Sequence, residues 1–339
     1  MTQLNVVDNT VNLEKLIEID ASTVFPDVFS PGESKVRQRF SRHPDCIVSN
    51  PNYVPDESVL RRVLAWWHAP QRQALGLHGE TGTGKTELLL YIADKLNEPV
   101  YIVKTHAALM PEELEGSKEL ENENGSVITR NRLGLAAKAY QHGGLLILDE
   151  VDKANEALQS SLHPLVEGKP WPIEQFGMIV NKHIMCRISA TANTTGEGGS
   201  ERYHTSQKMD SALRSRFGWL ELGYPDPATE IDIMTRNFPK LPRNLLHEMV
   251  GLGTAIREQV YAPGADMQAV FSTRTLVNWG HYLMVFGLKA RAVESLDFAF
   301  MGSVDPESKD KVNDTIQRLF DKKLDQSLHA LLATYQVKK

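Results

Sequence analysis

The sequence has little cysteine and no long apolar run, and each shortage excludes a class of protein. Only two cysteines, Cys46 and Cys186, occur among 339 residues, which excludes a disulfide framework and fits a reducing compartment. No apolar stretch reaches the roughly 18–20 residues that span a bilayer, so we expect no membrane span. The first residues lack the basic start and apolar core of a signal peptide, so we expect a cytoplasmic protein.

A basic excess and an aromatic enrichment are also missing. Lys plus Arg number 37 and Asp plus Glu 43, giving a formal charge of −6, whereas proteins that coat nucleic acid or anionic membranes are usually basic. Nucleic acid is therefore not the expected partner. One basic cluster could contact phosphate, but a solvated surface is the favoured interpretation because no aromatic platform accompanies it. The cluster comprises Lys35, Arg37, Arg39, Arg42 and His43.

From residue 56 onward, short apolar segments alternate with amphipathic ones. Apolar residues at helical spacing predict helices over 56–68 and 86–96. Apolar runs predict five strands, at 73–78, 99–104, 145–150, 186–192 and 219–224. Strands that alternate with helices are typical of a parallel sheet covered on both faces. We therefore predict an α/β fold with a parallel five-stranded sheet.

The strand pattern ends near Pro225, and the remainder predicts a small all-α domain. Helices are expected over 228–238, 243–260, 273–288, 290–302 and 309–335. We divide the chain into an N-terminal segment (1–50), an α/β domain (51–225) and a helical domain (226–339).

Two stretches interrupt the α/β pattern. Residues 110–131 are acidic and contain two glycines, and residues 167–183 predict a hairpin around Trp171. The residues alone leave open whether these stretches are specialised inserts or ordinary surface turns.

A glycine-rich motif follows the first predicted strand of the sheet and begins a helix. Residues 78–87, HGETGTGKTE, match the pattern G-x-x-x-x-G-K-[ST] in the context that this motif requires. Glycines let the backbone curl so that successive N–H groups face phosphate oxygens, and the helix N-terminus adds favourable partial charge. Lys85 is expected to reach the β- and γ-phosphates, and the Thr86 hydroxyl suits Mg²⁺. The predicted phosphate-binding residues are Gly79, Glu80, Thr81, Gly82, Thr83, Gly84, Lys85 and Thr86.

Polar residues at the ends of two other strands complete a candidate hydrolytic site. Asp149 and Glu150 follow an apolar run, at the strand end where ligands bind open α/β sheets. Asp149 is expected to hold Mg²⁺, and Glu150 to orient or activate the attacking water. The amide of Asn193 could hydrogen-bond that water or the γ-phosphate, although asparagine also often forms turns. Asp152 is predicted to cap the helix over 153–166.

Three arginines are candidates for contacts with the γ-phosphate. Arg214 and Arg216 lie in DSALRSRF, before the fifth predicted strand. An arginine supplied across a subunit boundary can neutralise transition-state charge, but an ordinary surface pair is the alternative. Arg274 begins a predicted helix in the helical domain and could also reach the γ-phosphate.

The order of these motifs resembles that of the AAA+ ATPases, and of their MoxR branch in particular. That branch has an insert after the second strand and a hairpin before the sensor strand, where residues 110–131 and 167–183 lie here. The resemblance implies a P-loop NTPase domain followed by a helical lid. It also implies that ATP binds between these two domains and that the inserts line the central face of a ring.

Within that branch the sequence resembles the CobS-type small subunits of aerobic cobaltochelatases. The similar stretches are residues 139–150, 190–209 and the run that begins at 272. The resemblance implies that Asp149 and Glu150 are the Walker B acids and Asn193 is sensor 1. It further implies that Arg216 is the arginine finger, with Arg214 as second candidate, and that Arg274 is sensor 2.

The resemblance implies a ring-forming ATPase, usually hexameric, that uses ATP and Mg²⁺ to remodel or activate a partner complex. The implied partners are a von Willebrand A-type protein or a large chelatase-like subunit, and cobalt insertion is one possible role. Two alternatives stay open. One is a nucleic-acid motor or restriction-type subunit, motivated by the basic cluster. The other is a nucleotide-gated binding module with little turnover, against which the acid at Glu150 argues.

Overall fold

The computed structural model describes residues 15–70, 72–123, 126–198, 204–265 and 267–336, which form two compact units. The first unit contains the described residues up to Leu222, except 51–54 and 80–83. The second contains those two short segments and the described residues from Gly223 onward. Among the described residues, no helix combines the length and apolarity needed to cross a membrane.

The first unit is built on a parallel sheet of five strands. Its strands in chain order are β1 (Leu16–Asp20), β2 (Lys35–Arg39), β3 (Ala74–His78), β4 (Val100–Lys104), β5 (Gly116–Glu123), β6 (Ser126–Leu133), β7 (Gly144–Asp149), β8 (Trp171–Ile173), β9 (Met178–Val180), β10 (Cys186–Ala192) and β11 (Phe217–Glu221). The five-stranded sheet has the order β11-β3-β10-β7-β4, and each pair of neighbouring strands in it is parallel. This confirms the predicted α/β class, although the fifth strand begins at Phe217 rather than at Trp219.

Helices accompany this sheet, including the three predicted over 56–68, 86–96 and 153–166 and three that were not predicted. The first unit contains α1 (Glu57–His68), α2 (Lys85–Lys95), α3 (Pro111–Glu115), α4 (Leu135–His142), α5 (Glu156–Glu167) and α6 (Ser211–Arg214). The prediction that Asp152 caps α5 was wrong. Asn155 is the N-cap, accepting the Leu158 N–H at 2.8 Å, whereas Asp152 is buried in the preceding 3-10 turn. The 3-10 turn separates Asp149 and Glu150 from α5, so the N-cap lies three residues later than we predicted.

Three antiparallel hairpins supplement the central sheet. The acidic interruption forms β5 and β6, and the second interruption forms β8 and β9, as the hairpin prediction required. The pairing of β1 with β2 was not predicted. It brings part of the basic cluster into the unit: Arg39 is 1% exposed and lies 2.6 Å from Glu98, and Arg42 lies 2.6 Å from Asp94. The solvated-surface interpretation is therefore wrong for Arg39.

The second unit is helical. It contains α7 (Pro227–Asn237), α8 (Arg243–Val260), α9 (Thr273–Val285), α10 (Ala292–Ala299), α11 (Pro306–Phe320) and α12 (Leu328–Gln336). Its core centres on the fully buried Trp279, which packs against Phe271 and Phe320. The single helix predicted over 309–335 was wrong, since the chain breaks at Asp321, which has a φ of 48°.

Candidate functional site

The glycine-rich segment between β3 and α2 adopts a backbone that requires glycine. Gly79, Gly82 and Gly84 have φ angles of 145°, 80° and 91°. A Cβ on Gly79 would lie 2.2 Å from the Leu222 carbonyl oxygen, and one on Gly82 would lie 2.5 Å from the Ser272 Cβ. Larger residues would therefore be both strained and obstructed, and the loop exposes backbone instead of side chains.

The loop runs directly into the N-terminus of α2. Gly84 is the N-cap and offers no side-chain cap, so the first-turn N–H groups are suited to an anion. Lys85 is 8% exposed, and its Nζ donates to the Gly79 carbonyl oxygen at 2.7 Å and to Asn193 Oδ1 at 3.1 Å. These bonds hold the ammonium group beside the loop. They also bring the side chain of Asn193 next to Lys85, a contact that we did not predict.

Thr86 and Asp149 meet at the carboxyl ends of the parallel strands. The Thr86 hydroxyl donates to Asp149 Oδ1 at 3.0 Å, and the Thr191 hydroxyl donates to the same oxygen at 2.7 Å. Sequence reasoning missed Thr191, although a hydroxyl within an apolar central strand signals a required hydrogen-bond partner. The result is a carboxylate that two hydroxyls orient next to the phosphate loop.

Glu150 has an unusual backbone. Its φ of 59° and ψ of 46° lie in the left-handed region, which is unfavourable for a residue other than glycine. Its N–H donates to Thr191 Oγ1 at 3.0 Å, and its carbonyl accepts the Thr105 hydroxyl. Its carboxylate lies 2.9 Å from Lys153 Nζ. Neighbouring side chains therefore hold a strained turn that fixes this carboxylate.

Asp152 organises the segment that carries Asn193. Its carboxylate Oδ2 accepts the Asn193 N–H at 3.3 Å, the Thr194 hydroxyl at 3.1 Å and the Ser206 hydroxyl at 2.8 Å. Its carbonyl accepts the Gln207 N–H at 2.6 Å. We missed this role because it depends on pairing across about fifty residues of chain, for which the local sequence gives no signal.

The two arginines before β11 each have a carboxylate partner. The Arg216 guanidinium binds the Glu167 carboxylate and the Ala212 carbonyl, and Arg214 Nη1 lies 3.2 Å from Glu197. Hydrogen bonds from Lys169 and Arg216 lower the pKa of Glu167. Within the single chain, both candidate fingers are therefore engaged in ion pairs.

Arg274 is the second residue of α9, in the second unit. It is exposed, and it forms no hydrogen bond or ion pair with the described part of the chain. Residues 80–83 of the phosphate loop belong to the same unit, and the Arg274 Cβ lies 3.8 Å from the position that a Cβ on Gly82 would take. A guanidinium without a partner among the described residues thus lies in the first turn of a helix beside the loop tip.

These groups fit a magnesium-bound triphosphate. Among the described residues, no group of three or more His, Cys, Asp or Glu could hold a metal ion alone. Mg²⁺ in nucleotide sites typically takes one or two protein oxygens and completes its shell with phosphates and water. The Thr86 hydroxyl and the Asp149 carboxylate provide oxygens of this kind, next to a lysine and a helix N-terminus that suit phosphate.

Comparison with known proteins gives two family matches. Residues 74–217 match the AAA domain (dynein-related subfamily), and residues 230–322 match the CbbQ/NirQ/NorQ C-terminal domain.

Three characterised relatives span much of the chain. Aerobic cobaltochelatase subunit CobS of Sinorhizobium sp is 26% identical, over 93% of this chain and 92% of CobS. Protein NorQ of Paracoccus denitrificans is 28% identical, over 59% of this chain and 70% of NorQ. Denitrification regulatory protein NirQ of Stutzerimonas stutzeri is 28% identical, over 63% of this chain and 72% of NirQ. With the fold and the phosphate loop, these matches establish that the chain belongs to the AAA+ ATPases, in their MoxR branch.

Proposed function

We propose that this ATPase hydrolyses magnesium-bound ATP and uses the energy to remodel or activate a partner protein complex. One observation carries the proposal. Lys85, held by Gly79 and Asn193, lies in the same loop and helix start as Thr86, whose hydroxyl binds the Asp149 carboxylate. This arrangement supplies a cation for phosphate and oxygen ligands for a divalent metal at consecutive positions.

The proposed roles follow from the chemistry of each group. The amides of residues 79–84 and the Lys85 ammonium bind the phosphates, and Thr86 and Asp149 hold Mg²⁺. When bound, Mg²⁺ neutralises charge on the phosphate oxygens. Glu150 orients the attacking water and accepts its proton at the carboxylate, and Asn193 donates its side-chain amide to that water or to the γ-phosphate.

Arginines complete the proposed site. Arg274 contacts the γ-phosphate of its own chain. Arg216, or alternatively Arg214, acts on the nucleotide of a neighbouring subunit, which requires a homo-oligomer, for which we propose a hexameric ring. Its guanidinium must then leave Glu167, its partner within the single chain. Such an exchange would link hydrolysis to assembly.

A protein complex is the proposed partner. The family resemblance suggests a von Willebrand A-type protein or a large chelatase-like subunit as that partner, and the similarity to a cobaltochelatase subunit supports a role in metal insertion. A nucleic-acid partner is not favoured, because much of the basic cluster is neutralised. Lys35 pairs with Glu18, Arg39 with Glu98 and Arg42 with Asp94.

Paired binding and hydrolysis measurements test the proposal. We expect Glu150→Gln to bind ATP as the wild type does, while phosphate release falls by about 10²–10⁴-fold, because the general base is lost. Lys85→Ala is expected to lose ATP binding. Glu156→Gln, which alters an exposed acid at the start of α5, serves as the matched control.

Two results would contradict the proposal. If Glu150→Gln and wild type hydrolyse ATP at the same low rate, the chain is a binding module rather than a motor. If the ATP-bound Glu150→Gln variant retains nucleic acid but no protein from a lysate of its source organism, the partner assignment is wrong.

A further inference from the structure

The second unit contains a buried ion pair to which the proposed function assigns no role. Glu230 of α7 is fully buried, and Arg257 of α8 is 8% exposed. Arg257 Nη2 lies 2.5 Å from Glu230 Oε2, and Nη1 donates to Oε1 at 3.2 Å. Buried ion pairs are weak evidence for stability, but they fix geometry because each partner strongly favours one position.

The ion pair binds both residues that flank the N-cap of α9. Arg257 Nη1 donates to the Phe271 carbonyl oxygen at 3.2 Å, and the Thr273 hydroxyl donates to Glu230 Oε1 at 2.7 Å. The residue between them, Ser272, caps α9 by accepting the Thr275 N–H at 3.2 Å. The pair therefore fixes the start of α9 one residue before Arg274.

The same guanidinium reaches the phosphate loop through an aromatic ring. The Arg257 guanidinium carbon lies 4.9 Å from the centre of the Tyr224 ring, within the range of a cation–π contact. The Tyr224 hydroxyl donates to the Thr81 carbonyl oxygen at 2.9 Å. Tyr261 hydrogen-bonds to Tyr224 and to Glu80 of the loop, so a second tyrosine lies there, and burial raises the pKa of its hydroxyl. Through Tyr224, the tip of the phosphate loop is thus connected to Arg257, which also binds the residue before the N-cap of α9.

We propose that the Glu230–Arg257 pair and Tyr224 are positioning residues for Arg274. They hold the start of α9 and the tip of the phosphate loop in one register, so that Arg274 stays within reach of the γ-phosphate. The direct packing of Gly82 on Ser272 defines that register. Misplacement of a catalytic group by ~1 Å can lower the rate ~100-fold. A rigid connection between α9 and the phosphate loop would therefore matter for the contact of Arg274 with the γ-phosphate. The inference rests on the proposed function of Arg274.

The test measures how well the protein distinguishes a γ-phosphate. The affinities of a non-hydrolysable ATP analogue and of ADP are determined by titration. The affinity for the analogue divided by the affinity for ADP is the ratio that reports the γ-phosphate contact. Tyr224→Phe removes one hydroxyl and keeps the ring beneath Arg257. We expect the ratio to fall about threefold to tenfold and the kcat for ATP by about tenfold, so any loss of ADP affinity is smaller than the loss of analogue affinity. Arg274→Ala is expected to lower the ratio at least as much.

A double-mutant cycle separates positioning from independent binding. If Tyr224 acts through Arg274, adding Tyr224→Phe to Arg274→Ala lowers the ratio no further. Additive losses, or an equal loss of ADP affinity, would overturn the proposal. Tyr335→Phe is the matched control, because it also removes a tyrosine hydroxyl bond, to Glu248, in the same unit. That variant is expected to keep the wild-type ratio.

A test of the Glu230–Arg257 ion pair requires a variant that still folds. Glu230→Gln alone leaves Arg257 buried without its counter-charge, so the two are replaced together, as Glu230→Gln with Arg257→Met. A purely structural pair predicts a wild-type ratio for the folded double variant. We expect the ratio to fall below the wild-type value instead, because nothing then holds the Phe271 carbonyl.

Failure of this inference is distinguishable from failure of the proposed function. If Lys85→Ala binds both nucleotides like the wild type, the phosphate site itself is wrong. If Lys85→Ala abolishes binding but Tyr224→Phe and Arg274→Ala are additive, only the positioning role is wrong.

Discussion

At the scale of single residues, one threonine controls the geometry of two acids. The Thr191 hydroxyl donates to Asp149 Oδ1 at 2.7 Å and accepts the Glu150 N–H at 3.0 Å. The first bond orients the carboxylate proposed to hold the metal. The second supports the left-handed backbone of Glu150, which a residue with a side chain adopts only when its surroundings enforce it. A hydroxyl outside the reacting groups thereby sets the directions of both carboxylates.

Replacement of Thr191 by valine tests this role. Thr191→Val keeps the shape and leaves the partly buried Glu150 N–H without its acceptor, so we expect a stability loss of ~1–3 kcal/mol and a kcat for ATP lower by about tenfold. Ser189→Ala is the control, because Ser189 lies two residues earlier in β10 and its hydroxyl binds the Leu146 carbonyl. Urea unfolding and phosphate release are measured for both. Equal kcat values in the two variants would show that Thr191 is only structural.

The sequence predicted those parts of the site that are contiguous. The phosphate loop fits in eight consecutive residues, and the acids follow an apolar run directly. Thr191 could not be placed in the same way, because its partner depends on register. In the sheet Ala190 pairs with Leu148, which brings Thr191 level with Asp149. Strand register across forty residues follows from packing in the whole sheet, and a local pattern does not specify it.

At the scale of elements, apolar patterns predicted the central strands but missed two charged strands and a break within a helical stripe. The inner strands β3, β7 and β10 are buried on both faces, so their apolar runs were visible. Half of the residues in strands β1 and β2 are charged, and the strands pair across a 14-residue connection, so neither signalled its partner. In the last helical stretch, the apolar stripe continued through Asp321 and hid a break in the backbone.

The break at Asp321 gives a prediction about helix ends. Its φ of 48° and ψ of −130° suit glycine far better than a residue with a Cβ. Asp321→Gly is therefore expected to raise the free energy of unfolding by ~0.5–1.5 kcal/mol, even though it loses an exposed hydrogen bond from Gln317. The melting temperature measures the change.

A nearby aspartate provides the control for that substitution. Asp325 lies in the following 3-10 turn and is exposed, without a positive φ. Asp325→Gly relieves no strain and adds freedom to the unfolded chain, so it should lower the melting temperature. If both glycine variants were destabilised alike, the left-handed backbone of Asp321 would carry no strain.

At the scale of the whole molecule, the proposed mechanism requires more than one chain. Arg216 is bound by Glu167 in its own chain, while the proposed transition-state contact lies on another subunit's nucleotide. A contact of this kind is heterologous, with one surface of a subunit meeting a different surface of the next, and its repetition gives a ring when the rotation between subunits closes. The sequence suggested the finger only through family resemblance, because no local pattern shows which chain an arginine serves.

Mixing two inactive variants tests whether Arg216 acts in a neighbour. Lys85→Ala lacks the phosphate lysine but keeps Arg216, and Arg216→Ala has the opposite defect. In a 1:1 mixture that exchanges subunits, an intact nucleotide site meets an intact arginine at about one interface in four, so we expect phosphate release near a quarter of the wild-type rate. Mixing Arg216→Ala with the double variant Lys85→Ala/Arg216→Ala restores no arginine and should stay inactive. If light scattering shows that the mixture assembles and it still releases no phosphate, Arg216 is not the finger. The same experiment with Arg214→Ala would then test the alternative.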